Sequence, residues 1–186
     1  MKRCYFSIAF ALLAWTLLGA VPALAVLVSV DPPSQVFTCE DTADVYVTVD
    51  GVADLRGFSL ALMFDSAILT PVAVEAGPLL SACPYFLDWL SEGSPGDSLY
   101  VDGAGLGCSM VGPGAILRIR FTGQMDGISP LSWTGIILRD SQNATLPTIS
   151  NGATLEVENC PVHIDDASWG RIKDLYADNP GGRAGP

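Results

Sequence analysis

The sequence is poor in histidine and in positive charge. His163 is the only histidine in 186 residues, and nine lysines and arginines stand against twenty acidic residues, for a net charge of −11. A field this negative repels phosphate backbones, so a nucleic-acid partner is not expected. Because the single histidine follows the last strand signal, a Ser-His-Asp triad is not expected either.

Motifs of catalysis and nucleotide binding are also missing. The stretch 107–112 departs by one residue from the G-x-S-x-G pattern of a nucleophile elbow, and 103–107 is not G-x-G-x-x-G. We therefore expect no enzyme activity and no cofactor.

A long apolar run occurs only at the N-terminus. Residues Ile8 to Leu18 follow the basic start Met1-Lys2-Arg3, and small residues occupy Ala23 and Ala25. This pattern predicts a signal peptide over residues 1–25, cleaved after Ala25. The alternative is an uncleaved membrane anchor. Cleavage predicts a secreted, extracellular or cell-surface protein with no remaining membrane span.

Four cysteines remain once Cys4 leaves with the signal peptide. An even number in an exported chain predicts two disulfides, for which three pairings exist. We favour Cys39–Cys160, which ties the start of the domain to its end, and Cys83–Cys108, which joins two neighbouring loops. A zinc site is the rival interpretation, but no C-x-x-C pair is present.

Amphipathic helices are scarce, and strand patterns dominate. Asp44–Asp50, Leu55–Phe64 and Ala115–Thr122 alternate apolar and polar residues with the period of a half-buried strand. About nine or ten such strands follow one another at short spacing, and Leu79–Ser91 reads either as a short helix or as an irregular strand. We predict an all-β, antiparallel nine- or ten-stranded β-sandwich of jelly-roll type, with a short C-terminal helix.

The strand pattern ends at Cys160. We assign residues 26–160 to the sandwich, 161–176 to a linker and a short amphipathic helix, and 177–186 to a disordered tail. The helix either packs on a sheet edge or serves as a tag for export or for a partner.

Four stretches together resemble a cohesin domain, the β-sandwich module of cellulosome scaffolds. They are Gly57–Leu69, Leu69–Leu80, Gly112–Phe121, and Ile137–Asp140 followed by Asn151–Val157. The resemblance spans residues 26–158. It implies a fold related to certain carbohydrate-binding modules and a flat strand face that holds another protein, such as a dockerin.

Two sets of side chains are candidates for ligand binding. Four aromatic residues can stack on sugar rings or else pack in the core: Tyr85, Trp89, Tyr100 and Trp133. Arg118 and Arg120 project from one face of a strand, where they either meet acidic groups of a protein partner or are ordinary solvated charges.

Calcium is the one metal that the sequence leaves open. Asp140 and Asn143 offer oxygen ligands in one turn, and Asp97 and Asp102 flank another segment. The spacing does not match an EF-hand, and capping of turns by Asp and Asn is the commoner role.

The leading hypothesis is a secreted, non-catalytic, cohesin-like module that holds an extracellular protein. The alternatives are a carbohydrate-binding module that adheres to polysaccharide and a structural component of the cell surface. Sugar binding needs two or more coplanar exposed aromatics, whereas protein binding needs a flat sheet face of mixed polar and apolar character.

Overall fold

The alternating segments form two β-sheets that pack face to face. The computed structural model describes residues 25–92 and 97–161. Within them lie twelve strands and one short helix: β1 (Val26–Asp31), β2 (Ser34–Thr38), β3 (Thr42–Asp50), β4 (Gly57–Met63), β5 (Leu69–Ala76), α1 (Pro78–Ser81), β6 (Tyr85–Glu92), β7 (Ser98–Gly105), β8 (Gly114–Gly123), β9 (Gly127–Arg139), β10 (Thr145–Leu146), β11 (Thr148–Asn151) and β12 (Ala153–Glu158).

The strand order places the first strands of the domain beside the last ones. The five-stranded sheet runs β11-β1-β3-β8-β5, and the seven-stranded sheet runs β2-β12-β9-β4-β7-β6, with β10 on β9. All pairs are antiparallel except β1 with β11 and β2 with β12, which are parallel. The predicted sandwich is confirmed, and its two parallel pairs join the start of the domain to its end.

Alternation along the strands builds the core. In β3, Ala43, Val45, Val47 and Val49 are almost completely buried between the sheets, while the residues between them face outward. Burying an aliphatic side chain of this size stabilises the fold by about 1.5–3 kcal/mol. Across the core, the ring of Phe121 on β8 meets that of Phe64 edge to face, with centroids 5.8 Å apart.

The strand count exceeds the predicted nine or ten for identifiable reasons. The segment Ser34–Thr38 has only two large apolar residues, so its pattern is too weak to predict β2. The segment 145–151 forms two strands, β10 and β11, because Pro147 between them has no N–H to donate to a ladder. The ambiguous segment over 79–91 resolves into α1 and the edge strand β6.

Several predictions concern residues outside the described ranges. The signal peptide, the C-terminal helix and the disordered tail lie there, and so does His163. In residues 25–92 and 97–161, no helix has the length and apolar character needed to span a bilayer.

Two disulfides fasten the sandwich, in the pairing that the sequence favours. Cys39 follows β2 and Cys160 follows β12, and their Cα atoms lie 5.0 Å apart because these two strands run parallel. Cys83 precedes β6 and Cys108 follows β7, with Cα atoms 6.3 Å apart. The first disulfide therefore closes the domain, and the second fixes the start of β6.

The two disulfides should contribute unequally to stability. They close loops with sequence separations of 121 and 25 residues. Because the entropy removed from the unfolded chain grows with loop length, replacing Cys39 and Cys160 by serine should cost about 1–2 kcal/mol more than replacing Cys83 and Cys108. Urea unfolding of both double variants measures the difference. An equal loss, or a larger loss for the shorter loop, would contradict this account.

Candidate functional site

The four aromatic candidates do not form one platform. Tyr100 projects from β7 away from the core, whereas Trp89 lies opposite the buried Val101 and therefore points to the core side of the sheet. Tyr85 shares that side with Trp89, roughly 13 Å along β6. Trp133 packs against the core, and its indole N–H donates to the carbonyl oxygen of Asn151 at 3.0 Å.

Trp89 borders an open cleft at the edge of the sandwich. The cleft lies between β5 and β6, the neighbouring edge strands of the two sheets, and Phe64, Leu69 and Pro71 also line it. The indole of Trp89 is 37% exposed at this cleft, where the two sheets part.

Arg118 and Arg120 lie on the outer face of the other sheet, where both bind Asp44. The strand register sets Asp44 of β3 opposite Arg120 of β8. Arg120 Nε donates to Asp44 Oδ1 at 2.9 Å, and Arg118 donates to Asp44 Oδ2 at 2.5 Å and to Glu75 at 3.3 Å. These hydrogen bonds from Arg118 and Arg120 hold the pKa of the Asp44 carboxyl below its ordinary value. The arginines are thus neutralised within the domain.

The proposed calcium ligands serve their own turns. Oδ1 of Asp140 accepts hydrogen bonds from the backbone N–H groups of Gln142 and Ala144, at 2.9 and 2.8 Å. Asp97 accepts from the hydroxyl of Ser66, and Asp102 lies roughly 16 Å farther along, in the middle of β7. Asp140 therefore caps its own turn. The carboxylates of Asp97 and Asp102 lie too far apart to bind one calcium ion.

One further group of potential metal ligands exists among the described residues. Cys39, Cys160 and Asp126 lie together. Both sulfur atoms belong to the disulfide, and Oδ1 of Asp126 accepts a hydrogen bond from the backbone N–H of Cys160 at 2.7 Å. The two sulfur atoms and this carboxylate oxygen therefore serve the structure of the domain rather than a metal ion.

The most distinctive surface is the outer face of four adjacent strands, β9, β4, β7 and β6, here called the β9-β4-β7-β6 face. Its central row runs across the strands through Leu90, Tyr100, Ala61 and Gly135, which are paired in register. Leu90 is 58% exposed, Tyr100 43%, and the neighbouring Ile137 42%. Because Ala61 and Gly135 are small, the middle of this row is flat and shallow.

Charged residues lie along one side of this apolar row. Asp88 on β6 and Asp102 on β7 are directly opposite each other in the adjacent row. Arg139 lies at the end of β9, beside Gly57. An apolar centre with a charged rim is the usual anatomy of a protein-binding surface.

The sequence contained a signal for this surface that a search for aromatic side chains does not find. Along β4, Leu60 and Leu62 are buried, yet the outward positions between and beyond them are Ala61 and Met63 rather than charged residues. Ile137 is likewise apolar at an outward position of β9. Apolar residues at outward positions of neighbouring strands indicate a surface that another molecule covers.

Comparisons with known proteins fall into two groups. No family model and no curated protein matches the sequence. Solved structures do match. A non-cellulosomal cohesin from the archaeon Archaeoglobus fulgidus has a TM-score of 0.61 at 15% identity, covering 78% of this chain and 97% of that one. The chain has the cohesin fold.

Two further structures match over a similar extent. A cohesin of Clostridium thermocellum in complex with the dockerin Doc918 has a TM-score of 0.63 at 12% identity, with coverage of 72% of this chain and 99% of that chain. A type II cohesin from the cellulosome of Acetivibrio cellulolyticus has a TM-score of 0.59 at 13% identity, with 70% and 94% coverage. The cohesin resemblance read from the sequence is thereby confirmed at the level of fold.

The ion pairs of Asp44 with Arg118 and Arg120 should make the free energy of unfolding depend on pH. Because the folded pKa of Asp44 lies below the ordinary 3.8, its contribution is fully present at neutral pH and disappears as the pH falls below that value towards the folded pKa. Asp44→Asn should lower the free energy of unfolding by about 1 kcal/mol at pH 7. The deficit relative to the parent protein should shrink as the pH falls below about 4.

Urea unfolding at several pH values measures this deficit. Glu158→Gln is the matched control, since Glu158 is exposed and has no ion pair within residues 25–92 and 97–161. A deficit for Asp44→Asn that stays constant down to pH 2 would contradict the assignment.

Proposed function

We propose that this cohesin-like domain is a non-catalytic module that holds another extracellular protein on its β9-β4-β7-β6 face. The observation that carries the proposal is the outward-facing apolar row of Leu90, Tyr100, Ala61 and Gly135, in which Leu90 and Tyr100 are exposed and the two small residues are half-buried. Burying such a row removes apolar surface from water at about 25 cal/mol per Å².

Flatness favours a protein over a polysaccharide as the ligand. Tyr100 is the only one of the four aromatic candidates on this face, and its neighbours across the strands are Leu90 and Ala61. A sugar platform needs at least two rings in one plane, whereas a protein can cover a flat row of aliphatic side chains. Adhesion to polysaccharide is therefore the second candidate and an outcome of the experiment below.

A dockerin-like domain is the partner class that we propose. Several structures that share this fold are cohesin–dockerin complexes, among them those of Clostridium thermocellum cohesins with Doc918 and Doc435. The basic start and apolar run of residues 1–25, together with two disulfides, support export of the domain to an oxidising compartment where such a partner is met.

The face is tested by placing a long charged side chain at its centre. Ala61→Arg puts a guanidinium in the apolar row, on a strand whose opposite side keeps the core residues Leu60 and Leu62. Since central interface positions commonly account for 2 kcal/mol or more, binding should weaken by about thirtyfold or more. The matched control is Thr122→Arg, at an outward position of β8 on the other sheet.

The measurement is surface plasmon resonance with the oxidised protein. The ligands are Doc918, Doc435 and the dockerin-like domains secreted by the source organism, with a panel of insoluble polysaccharides in parallel. We expect a dockerin-like protein to bind the parent and Thr122→Arg equally and to bind Ala61→Arg poorly. Equal binding to both arginine variants, or retention on a polysaccharide without any protein ligand, would overturn the proposal.

A further inference from the structure

The strand β6 ends the seven-stranded sheet with one side unpaired. Its eight residues pair with β7 on one side, and no described strand lies on the other. The backbone N–H and C=O groups on that side are therefore free of ladder hydrogen bonds. A free edge of this length can accept another strand.

The three other edges of the sandwich carry features that discourage such pairing. In β5, Pro71 removes a donor, and the register shifts between Pro71 and Ala73. The strand β11 has four residues and begins after Pro147, and β2 has five and begins after Pro32 and Pro33. Proline, irregular pairing and short length are the usual protections of an edge.

The edge of β6 has none of these protections. It contains no proline, lysine or arginine, and its register with β7 is continuous from Tyr85 to Glu92. Tyr85, Phe86, Trp89 and Leu90 are all exposed large side chains on this one strand. The edge is also held in place, because the Cys83–Cys108 disulfide and the hydrogen bond from Leu106 N–H to Pro84 O fix its start.

Acidic charge is the one feature of this edge that selects a partner. Asp88, at the middle of β6, lies directly opposite Asp102 of β7. Its Oδ1 accepts a hydrogen bond from the backbone N–H of Trp89 at 3.0 Å, and neither carboxylate has an ion pair within the described ranges. Directly opposed residues of like charge destabilise a sheet. A cation on the free side of Asp88 would offset this repulsion.

We propose that the β6 edge takes up an extended segment of a partner protein, which adds a strand with a lysine or arginine opposite Asp88. Apolar residues two positions before and after the cation would contact Phe86 and Leu90, which share the outward side with Asp88. Backbone hydrogen bonds supply affinity in such strand addition, and the alternate side chains supply specificity.

A second copy of this chain fits the edge less well. Antiparallel pairing of two β6 strands that matches Phe86 with Leu90 of the second copy sets Asp88 against Asp88 of the second copy. With Asp102 in the neighbouring strand of each copy, four carboxylates would meet at the junction. The acid thus disfavours self-association and favours a basic partner, which is how edge strands commonly gain specificity.

The charge requirement is tested with two synthetic peptides. The first has the sequence Thr-Val-Thr-Lys-Thr-Val-Thr. Because this sequence is the same in both directions, lysine lies at the centre in either strand orientation. In the second, glutamate replaces lysine. By fluorescence anisotropy with the oxidised full chain, the lysine peptide should bind about tenfold more tightly. Asp88→Lys should invert the preference, and Asp88→Asn should abolish it.

Strand addition itself is tested by methylating the peptide backbone. Because alternate N–H groups of a strand point to opposite sides, only one alternate set faces β6. Methylating that set should abolish binding, and methylating the other set should leave binding unchanged. The Ala61→Arg variant should still bind the lysine peptide, since Ala61 lies on β4, two strands away from the β6 edge.

The outcomes are decisive in each case. Absence of binding by both peptides up to their solubility limit, equal binding of both by the parent protein, or loss of binding with both methylated sets would overturn strand addition at β6. None of these results bears on whether a dockerin-like protein binds the face.

Discussion

The whole arrangement depends on the register imposed by burying one side of each central strand. Because side chains alternate with period two, a slip by one residue would move every core residue of a strand to the solvent side. The burial of Leu60 and Leu62 in β4, and of Leu99 and Val101 in β7, therefore fixes Ala61 and Tyr100 on the outside. The apolar row of the β9-β4-β7-β6 face points outward because the alternate residues of the same strands fill the core.

The same constraint separates what sequence reasoning could predict from what it could not. Alternation is a local signal, so the strands β3, β4 and β8 and the sandwich class were predictable. Which strands become neighbours is not local: β4 lies between β9 and β7, about 40 to 75 residues away along the chain. The row that joins Ala61 to Tyr100 and Gly135 therefore could not be read from spacing, although apolar residues at outward positions gave a hint.

The arginine pair illustrates the same limit. Alternation along β8 correctly placed Arg118 and Arg120 outward, but their partner Asp44 is contributed by β3, more than 70 residues earlier. Only the β3–β8 register reveals that these charges are neutralised within the domain. Tyr100 and Trp89 lie on opposite sides of the sheet for a related reason. The register of β6 with β7 decides which aromatic residues share a side. The sequence of 79–91 did not establish that β6 is a strand, so this register could not be predicted.

The central claim, that the β9-β4-β7-β6 face is the binding surface, is tested most directly by hydroxyl-radical footprinting of the domain with and without its protein partner. The account predicts that Met63, Tyr100 and Ile137 lose reactivity in the complex, while Tyr46 on the other sheet and Met125 in the loop after β8, both exposed, react unchanged. Protection of Tyr46 with unchanged reactivity at Met63 and Tyr100 would contradict it.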